Sequence, residues 1–499
     1  MNYASFRRLR FVRSTLLSAC VLGVSVSGCA ALLSLGDWSV VDEAKDASTD
    51  DVPPAPDSPV DVVAPDTFVP DCTTNDECTL RATAEGPIDA GVDDADAALP
   101  PADGGDAGDA AADAGQPTIP AVCVKSTGKC ARLLSTDCTA ITGDYHNNDA
   151  VVLGSLLFFK GSQATSGIAR TQSSQLAIEE INAAGGLPAA IGSSARRPIV
   201  LVSCDGATNL LRAGDHLINE LHVPGMVGPT TSQDTLDISL KMSIAAGTVI
   251  ISPNAVASSI GDLPDQDLTW LLVPSDQQRG PLMISQINQI ESELKIARSK
   301  STLKLSIIYR NDALGVGSYS ALSSLQFNGK PLSDAINAGS PSGNVRLDAY
   351  TPTAPNQQPI VTRHAAFQPD IVVLLGAETV LKVLQPLETQ WFQDAGPDRP
   401  LYLVIDASKN ADMIAVTTNN QPLRQRIRGT GVVSEAASLP VFSRFAGAYA
   451  SRYGSFPNIS NMGPSYDATY ALAYAIAAVK DLPLTGANIA KGLRKLGSG

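Results

Sequence analysis

Short polar segments follow several of the apolar runs in the middle of the chain, where a binding site could form. They are SCD at 203–205, GPTTSQD at 228–234, SPNAV at 252–256 and PSD at 274–276. The second segment leads directly into a helical pattern, and hydroxyls and free backbone amides at a helix start favour an anion. Thr231 and Ser232 are therefore candidate contacts for a carboxylate or phosphate, although either hydroxyl could simply cap the helix.

The polar turn at 252–256 ends the next strand along the chain, so we expect both turns to converge on one ligand. This turn adds Asn254, Ala255 and Val256 to the candidate contacts. Four carboxylates also stand at strand ends, but no histidine lies beside them in the sequence to suggest an acid–base pair, and all four could be helix caps. They are Asp205, Asp234, Asp276 and Asp406.

Sequence motifs for catalysis are absent. The chain contains no GxSxG, no HExxH and no GxxxxGK[ST]. We therefore expect a binding protein without enzymatic activity and without a cofactor.

Alternating strand and helix patterns predict an α/β lobe around the first two polar turns. The run VVLGSLL at 151–157 is continuously apolar, as expected of a parallel strand buried on both faces. A helix over 168–181 ends at a Gly-Gly pair, and further strands are predicted at 198–205 and 223–229. Such alternation predicts a doubly wound sheet, with ligands bound outside the carboxyl ends of its strands.

A second set of strands and helices follows and predicts a second, similar lobe with a cleft between the two. Its strands are predicted at 304–309, 370–376, 401–406 and 428–433. Its helices are predicted near 315–326, 378–392 and 440–453. The segment 466–479 is rich in alanine and apolar residues, which predicts a helix buried on most faces.

Charge is spread unevenly along the chain. Residues 1–149 carry 9 Lys+Arg against 24 Asp+Glu, and residues 150–499 carry 27 against 26, which together give the net charge of −14. The folded part therefore has no basic surface signature for nucleic acid, and we expect no nucleic-acid partner.

The first 29 residues have the pattern of an export signal. Four arginines precede a short apolar run at 16–26, and VSGC at 26–29 looks like a bacterial lipobox that would place lipid on Cys29. The alternatives are an ordinary signal peptide or an uncleaved anchor, but the apolar run is too short for a stable membrane span. We expect a lipid-anchored protein of the cell envelope, facing the periplasm or the exterior.

Residues 30–120 are dominated by Ala, Asp, Pro and Gly, a composition that cannot bury enough apolar area to offset chain entropy. We interpret this segment as a disordered, self-repelling tether. Calcium binding is the alternative, but the spacing of a calcium repeat is missing from the aspartates concerned. They are Asp103, Asp106, Asp109 and Asp113.

Six cysteines follow Cys20 and Cys29, and an even number in an exported chain indicates disulfides. A metal site is the competing interpretation, but no CxxC occurs and the four histidines are scattered. Six cysteines allow fifteen pairings. The one we favour staples a small element at about 71–138 through Cys72, Cys78, Cys123 and Cys130, and pairs Cys138 with Cys204.

These residues together resemble the type I periplasmic binding proteins, in particular the leucine/isoleucine/valine-binding branch that feeds ABC importers. The resemblance covers about 150–499 and rests on the order and spacing of several phrases. They are EEINAAGG at 179–186, VSCD at 202–205, VGP at 227–229 with Ser232, ISP at 251–253, VPSD at 273–276 and LGVG at 314–317.

The resemblance implies two doubly wound parallel-sheet lobes of the α/β class, joined by a hinge and closing over a small ligand. It implies a first lobe at 150–272, a second at 273–434 and a return to the first at 435–499. Family members continue beyond the point where this chain stops, at Gly499, so we expect a truncated chain or an incomplete second lobe.

Site residues carry over by position. Ser232 matches the hydroxyl donor to the ligand carboxylate, and Asn254 matches the residue whose carbonyl receives the ligand ammonium. Val256 stands where amino-acid binders usually have a Thr that uses both its hydroxyl and its backbone amide. In this chain only the backbone amide would remain as a ligand contact. Leu314 replaces a frequent Tyr and Glu378 lies near another aromatic wall position, whereas Asp406 is near the acidic residue that pairs with the ammonium.

The resemblance implies a small polar, carboxylate- or amino-acid-like ligand and an ABC permease as partner. The alternatives are a sensing or surface lipoprotein of the same fold without a transporter, and a degenerate relative that binds nothing.

Overall fold

Two mostly parallel sheets form the framework of the structure, a computed structural model. It describes residues 70–87, 117–189, 192–335, 343–391, 398–431, 440–457, 459–480 and 482–496, which all belong to the unit Pro70–Gly499. The predicted signal segment, Cys29, most of the tether and its four aspartates lie outside the described residues.

The first sheet has six strands in the order β3-β5-β4-β6-β7-β8. Its strands are β3 Cys138–Thr142, β4 Val151–Leu157, β5 Ile199–Asp205, β6 Gly225–Val227, β7 Val249–Ser252 and β8 Thr269–Leu271. All neighbours are parallel except β3, which runs antiparallel to β5 at the edge. This lobe therefore includes residues that precede 150, because β3 extends its sheet.

Helices cover both faces of the first sheet. They include α2 Ala164–Ala183, α3 Gly206–Asp215, α4 Ser232–Ile238, α5 Ile244–Ala246 and α6 Ser258–Gly261. The last helices of the chain belong to the same lobe, since α15 Met462–Val479 and α16 Gly486–Lys495 share its apolar core with β4, β5 and β7. The helix α14 Pro440–Tyr453 packs on α2 through an aromatic cluster.

The second sheet has five parallel strands in the order β12-β9-β13-β14-β15. They are β9 Leu305–Arg310, β12 Val345–Tyr350, β13 Ile371–Leu375, β14 Leu401–Ile405 and β15 Ile427–Thr430. A small hairpin, β10 Gln326–Phe327 with β11 Lys330–Pro331, lies outside the sheet. Its helices are α7 Asp276–Ala297, α8 Ala313–Ser320, α9 Leu332–Ala335, α10 Gln358–Phe367, α11 Gln385–Trp391, α12 Ala411–Thr417 and α13 Gln421–Arg424. The two doubly wound lobes of the predicted fold are therefore confirmed.

The chain passes from the first lobe to the second between β8 and α7. At this crossing the Asp276 amide donates a hydrogen bond to the Val256 carbonyl at 2.8 Å, which ties the start of α7 to the turn after β7. The polar segment at 274–276 thus belongs to the crossing and not to a strand end, because β8 already ends at Leu271.

A small disulfide-stapled module precedes the first lobe. It consists of α1 Asn75–Glu85 and the antiparallel pair β1 Ala121–Val124 and β2 Lys129–Arg132. Disulfides join Cys72 to Cys123 and Cys78 to Cys130, and a third joins Cys138 to Cys204 between β3 and β5. The favoured grouping of the six cysteines is confirmed, and their sulfurs offer no thiolate to a metal.

Within the described residues no helix is both long and apolar enough to cross a membrane.

Candidate functional site

Loops at the carboxyl ends of strands from the two lobes meet across a cleft. The backbone amide of Ala313, at the start of α8, donates to Oε1 of Gln233 on α4 at 3.4 Å. Beside this contact, Ala313 packs against an apolar cluster of the first lobe that includes Ala255 and Ala257. We call the space bounded by the loops 228–232, 252–257, 311–317, 376–379 and 406–408 the inter-lobe cleft.

The two hydroxyl candidates have different structural roles. The Thr231 hydroxyl accepts the amide N–H of Asp234 at 3.1 Å and so caps α4. Ser232 is 2% exposed, and its Oγ accepts the amides of Val256 at 3.0 Å and Ala257 at 3.1 Å. The Val256 amide, expected to serve the ligand, is therefore engaged by the protein's own serine in this conformation.

The turn after β7 is fixed by side-chain hydrogen bonds. Asn254 Nδ2 donates to the Thr230 carbonyl at 2.8 Å, and Asn461 Nδ2 donates to Asn254 Oδ1. The Ser252 hydroxyl accepts the Ala255 amide at 3.0 Å. Asn254, Ala255 and Val256 are thus held close to Ser232.

Two further candidates, Leu314 and Glu378, lie on the second lobe. Leu314 is half-buried and packs against that lobe's apolar core. Glu378 accepts hydrogen bonds from Arg310 Nη1 at 2.7 Å and from the Tyr350 hydroxyl at 3.1 Å. Burial and the Glu378 carboxylate raise the pKa of Tyr350, so this phenol stays a neutral donor.

Asp406 is paired within its own lobe. Arg279, on the first turn of α7, forms an ion pair with Asp406 Oδ1, and the Ala407 amide donates to the same oxygen at 3.0 Å. A second cation, Arg170 on α2 of the first lobe, interacts electrostatically with Asp406 across the cleft. Arg170 Nε donates to the Ser460 carbonyl at 3.0 Å.

Sequence reasoning missed both arginines. The sequence gives little indication of a role for either one, since each is a single cation in the first turns of a helix. Their pairing with a residue at a distant point in the chain has no local pattern.

Two carboxyl groups beside the cleft have raised pKa values. Burial raises the pKa of Asp276 to about 7, although the Ser318 hydroxyl donates to its Oδ1 at 3.0 Å. Burial also raises the pKa of Asp234, whose side chain lies near Arg310. Desolvation disfavours a charged carboxylate in both cases.

A serine, a histidine and an aspartate do come together in the second lobe. His364 Nδ1 lies 2.7 Å from Ser306 Oγ, and His364 Nε2 lies 2.9 Å from Asp348 Oδ2. Ser306 and His364 are both 0% exposed, so no substrate reaches the hydroxyl. Burial lowers the pKa of His364, which favours the neutral imidazole, and the trio links β9, β12 and α10.

Two α/β lobes whose polar loops face each other are typical of proteins that bind a small ligand between domains. The sequence profile described as "Periplasmic binding protein" matches residues 150–498. The chain belongs to the periplasmic binding protein family. This family binds small molecules outside the cytoplasm, works with ABC transporter permeases and is not an enzyme family.

Several solved structures share the fold. The branched-chain amino acid transporter substrate-binding protein LivJ of Streptococcus pneumoniae, in complex with isoleucine, is 19% identical over 69% of this chain and 88% of its own, with a TM-score of 0.51. A type 1 periplasmic binding protein of Bordetella pertussis is 17% identical over 69% and 88%, with a TM-score of 0.53.

A fatty acid ABC transporter substrate-binding protein of Thermomonospora curvata is also similar, at 17% identity over 70% of this chain and 81% of its own, with a TM-score of 0.51. These similarities establish the fold. A comparison with curated proteins found no significant match.

Proposed function

We propose that this chain is a membrane-tethered solute-binding lipoprotein that captures a small polar, carboxylate- or amino-acid-like ligand between its lobes for import through an ABC permease. The observation that carries the proposal is the meeting of polar strand-end loops from both lobes at one cleft. Among the similar structures, one holds isoleucine and another is named for fatty acids. Both ligand types carry a carboxylate, which supports an acidic ligand here.

The proposed contacts come from both walls of the cleft. Thr231, Ser232 and the turn of Asn254, Ala255 and Val256 form one wall. The other wall contributes Leu314, Glu378 and Asp406. A ligand that contacts both walls would favour the closed arrangement of the lobes, because those contacts exist together only there.

A thermal-shift screen of the mature chain against amino acids, small carboxylates, amides and aromatic acids tests ligand capture. A true ligand at a hundredfold excess over its dissociation constant should stabilise the protein by about 2.7 kcal/mol. A panel without any hit would contradict the proposal and favour a degenerate, non-binding relative.

Ser232→Ala tests the first wall. Loss of the hydroxyl removes the predicted ligand contact and leaves the Val256 and Ala257 amides without their acceptor, so we expect the affinity for the hit to fall by about tenfold or more. Ser259→Ala, an exposed serine on α6, is the matched control. Equal affinities in both variants would show that Ser232 is not part of the site.

Lipid attachment at Cys29 is the proposed anchor. Cells labelled with an alkyne fatty acid should incorporate it into the wild type and into Cys20→Ser, but not into Cys29→Ser. The Cys29→Ser protein should also leave the membrane fraction, because acyl chains supply the apolar area that holds the protein there. Label retained on Cys29→Ser would refute the anchor.

A sensing or surface lipoprotein without a transporter is the alternative, supported by the stapled module that precedes the first lobe. Uptake of a radiolabelled hit by cells with and without this gene separates the two functions. Reduced uptake in the deletion strain supports import, whereas unchanged uptake with intact binding supports the alternative.

A further inference from the structure

Two buried guanidinium groups, one from each lobe, both interact with Asp406 at the inter-lobe cleft. Arg170 on α2 and Arg279 on α7 are each 7% exposed, although they belong to different lobes. The Nη1 atom of each is buried and has no hydrogen-bond partner among the residues that the structure describes. A buried donor without a partner is costly, and more so when it belongs to a charged group.

One carboxylate stands between the two cations. Arg279 pairs directly with Asp406, and Arg170 interacts with the same carboxylate electrostatically. Burial lowers the pKa of Arg170 to about 10, so the group is still a cation at neutral pH but a poorly compensated one. The other nearby acid, Asp276, has a pKa raised by burial to about 7 and compensates only part of the second positive charge.

The positions that would recognise an α-amino acid are already engaged. Asp406, which would receive an ammonium group, is bound to Arg279. The Val256 amide, which would receive a carboxylate, is bound to Ser232 Oγ at 3.0 Å. An incoming ammonium group would therefore meet a guanidinium, whereas an incoming carboxylate would meet two unpartnered N–H donors.

We infer that the cleft binds an organic acid whose carboxylate is held by Arg170 and Arg279, and that an α-ammonium group is not needed for recognition. The inference rests on the proposed capture of a small ligand in this cleft. Guanidinium groups suit this role because their planar N–H forks match the geometry of a carboxylate. Since the two arginines come from different lobes, one carboxylate held by both would also link the lobes in the closed state.

Matched ligand sets test the chemistry. Isothermal titration calorimetry of the full mature chain compares isocaproate, leucine and isoamylamine, and in parallel hydrocinnamate, phenylalanine and phenethylamine. In each set the apolar part is nearly constant while the carboxylate, the ammonium group or both are present. At least one free acid should bind, more tightly than its amino acid, and neither amine should bind.

Variants test the two residues. Arg170→Gln and Arg279→Gln should each weaken binding of the acid by about ten- to a hundredfold, because a charged hydrogen-bond donor is lost. Arg279→Lys should retain part of the affinity. Arg424→Gln removes an exposed arginine on α13 of the second lobe and should leave the affinity unchanged.

The possible results separate the inference from the proposed function. Binding of an amino acid but of no free acid overturns the inference and leaves solute capture standing. An acid that binds equally well to both Gln variants overturns the assignment of the arginines. No binding by any probe overturns the proposed function as well.

Melting temperatures control for folding in every variant. If Arg279→Gln does not fold, because Asp406 then loses its partner, Arg170→Gln and Arg279→Lys decide the question.

Discussion

Asp276 is a buried carboxyl group whose ionisation opposes folding. Its pKa is raised from 3.8 to about 7, chiefly by burial. The unfolded chain releases this proton near pH 4 and the native state only near pH 7, so the unfolded state binds fewer protons in between. This group therefore lowers the free energy of unfolding as the pH rises through that window, and the loss is complete above the native pKa.

We expect Asp276→Asn to remove this pH dependence. Relative to the variant, the wild type should lose up to about 1.4 kcal/mol of unfolding free energy per pH unit between the two pKa values. Urea unfolding at several pH values measures the difference, with Asp262→Asn, an exposed aspartate, as control. A wild-type-minus-variant difference that is flat with pH would show that folding does not raise the pKa of Asp276.

Part of the candidate site could be predicted from the sequence alone. Ser232, Asn254 and Val256 were predicted to lie together, and they do, because strand-end turns of neighbouring parallel strands share one edge of the sheet. The partner of Asp406 could not be predicted. Arg279 is 127 positions away, and only the folded second lobe brings the two together.

Elements with strong apolar patterns were predicted, and those with mixed patterns were missed. The central strands β4, β5 and β13 are mostly apolar and almost fully buried, since helices cover both of their faces. The edge strand β12 has the sequence VRLDAY, and most of its side chains are only partly buried. Its polar residues interrupt the apolar pattern by which buried strands were recognised, so β12 was not predicted. The edge strand β3 was missed for a similar reason, as it is short and antiparallel.

The helices α15 and α16 pack closely at Gly492, whose lack of a side chain permits the contact. A Cβ at Gly492 would lie 2.4 Å from the Ala475 carbonyl oxygen and 3.0 Å from its Cα, so a backbone shift would be needed. We expect Gly492→Ala to destabilise the first lobe by about 1–3 kcal/mol, as overpacking usually does.

Gly447→Ala is the matched control for this prediction. Gly447 lies within α14, and no atom lies within 4 Å of the position its Cβ would take. Alanine there should be neutral or mildly stabilising, because it favours the helical backbone. Chemical denaturation of both variants compares them, and equal effects would mean that α15 and α16 separate at little cost.

At the scale of the whole molecule, the stapled module and the lobes differ in what stabilises them. Among the described residues, the module's own apolar cluster consists of the small side chains of Cys72, Cys78, Ala82 and Ala121, whereas Val122 of β1 packs into a cluster of the first lobe. A core this small cannot offset chain entropy without its cross-links. The lobes are built on much larger apolar cores around their sheets.

We therefore expect Cys72→Ser with Cys123→Ser to unfold the module and spare the lobes. Loss of a native disulfide from a small domain costs about 2–5 kcal/mol, which exceeds what this module can supply. Differential scanning calorimetry should show the main transition nearly unchanged, while proteolysis cuts within 70–132. A large downward shift of the main transition would indicate that the module supports the first lobe.

The helices α15 and α16 belong to the core of the first lobe, and this has a consequence for synthesis on the ribosome. The apolar core around β4 and β5 includes residues from Ala468 to Leu493. The second lobe, in contrast, is built from the nearly continuous segment that lies between α7 and β15. All the strands of the second lobe are thus synthesised before the helices α15 and α16, which cover the first sheet. Until then the growing polypeptide carries an exposed apolar face on the first sheet, the kind of surface that chaperones shield.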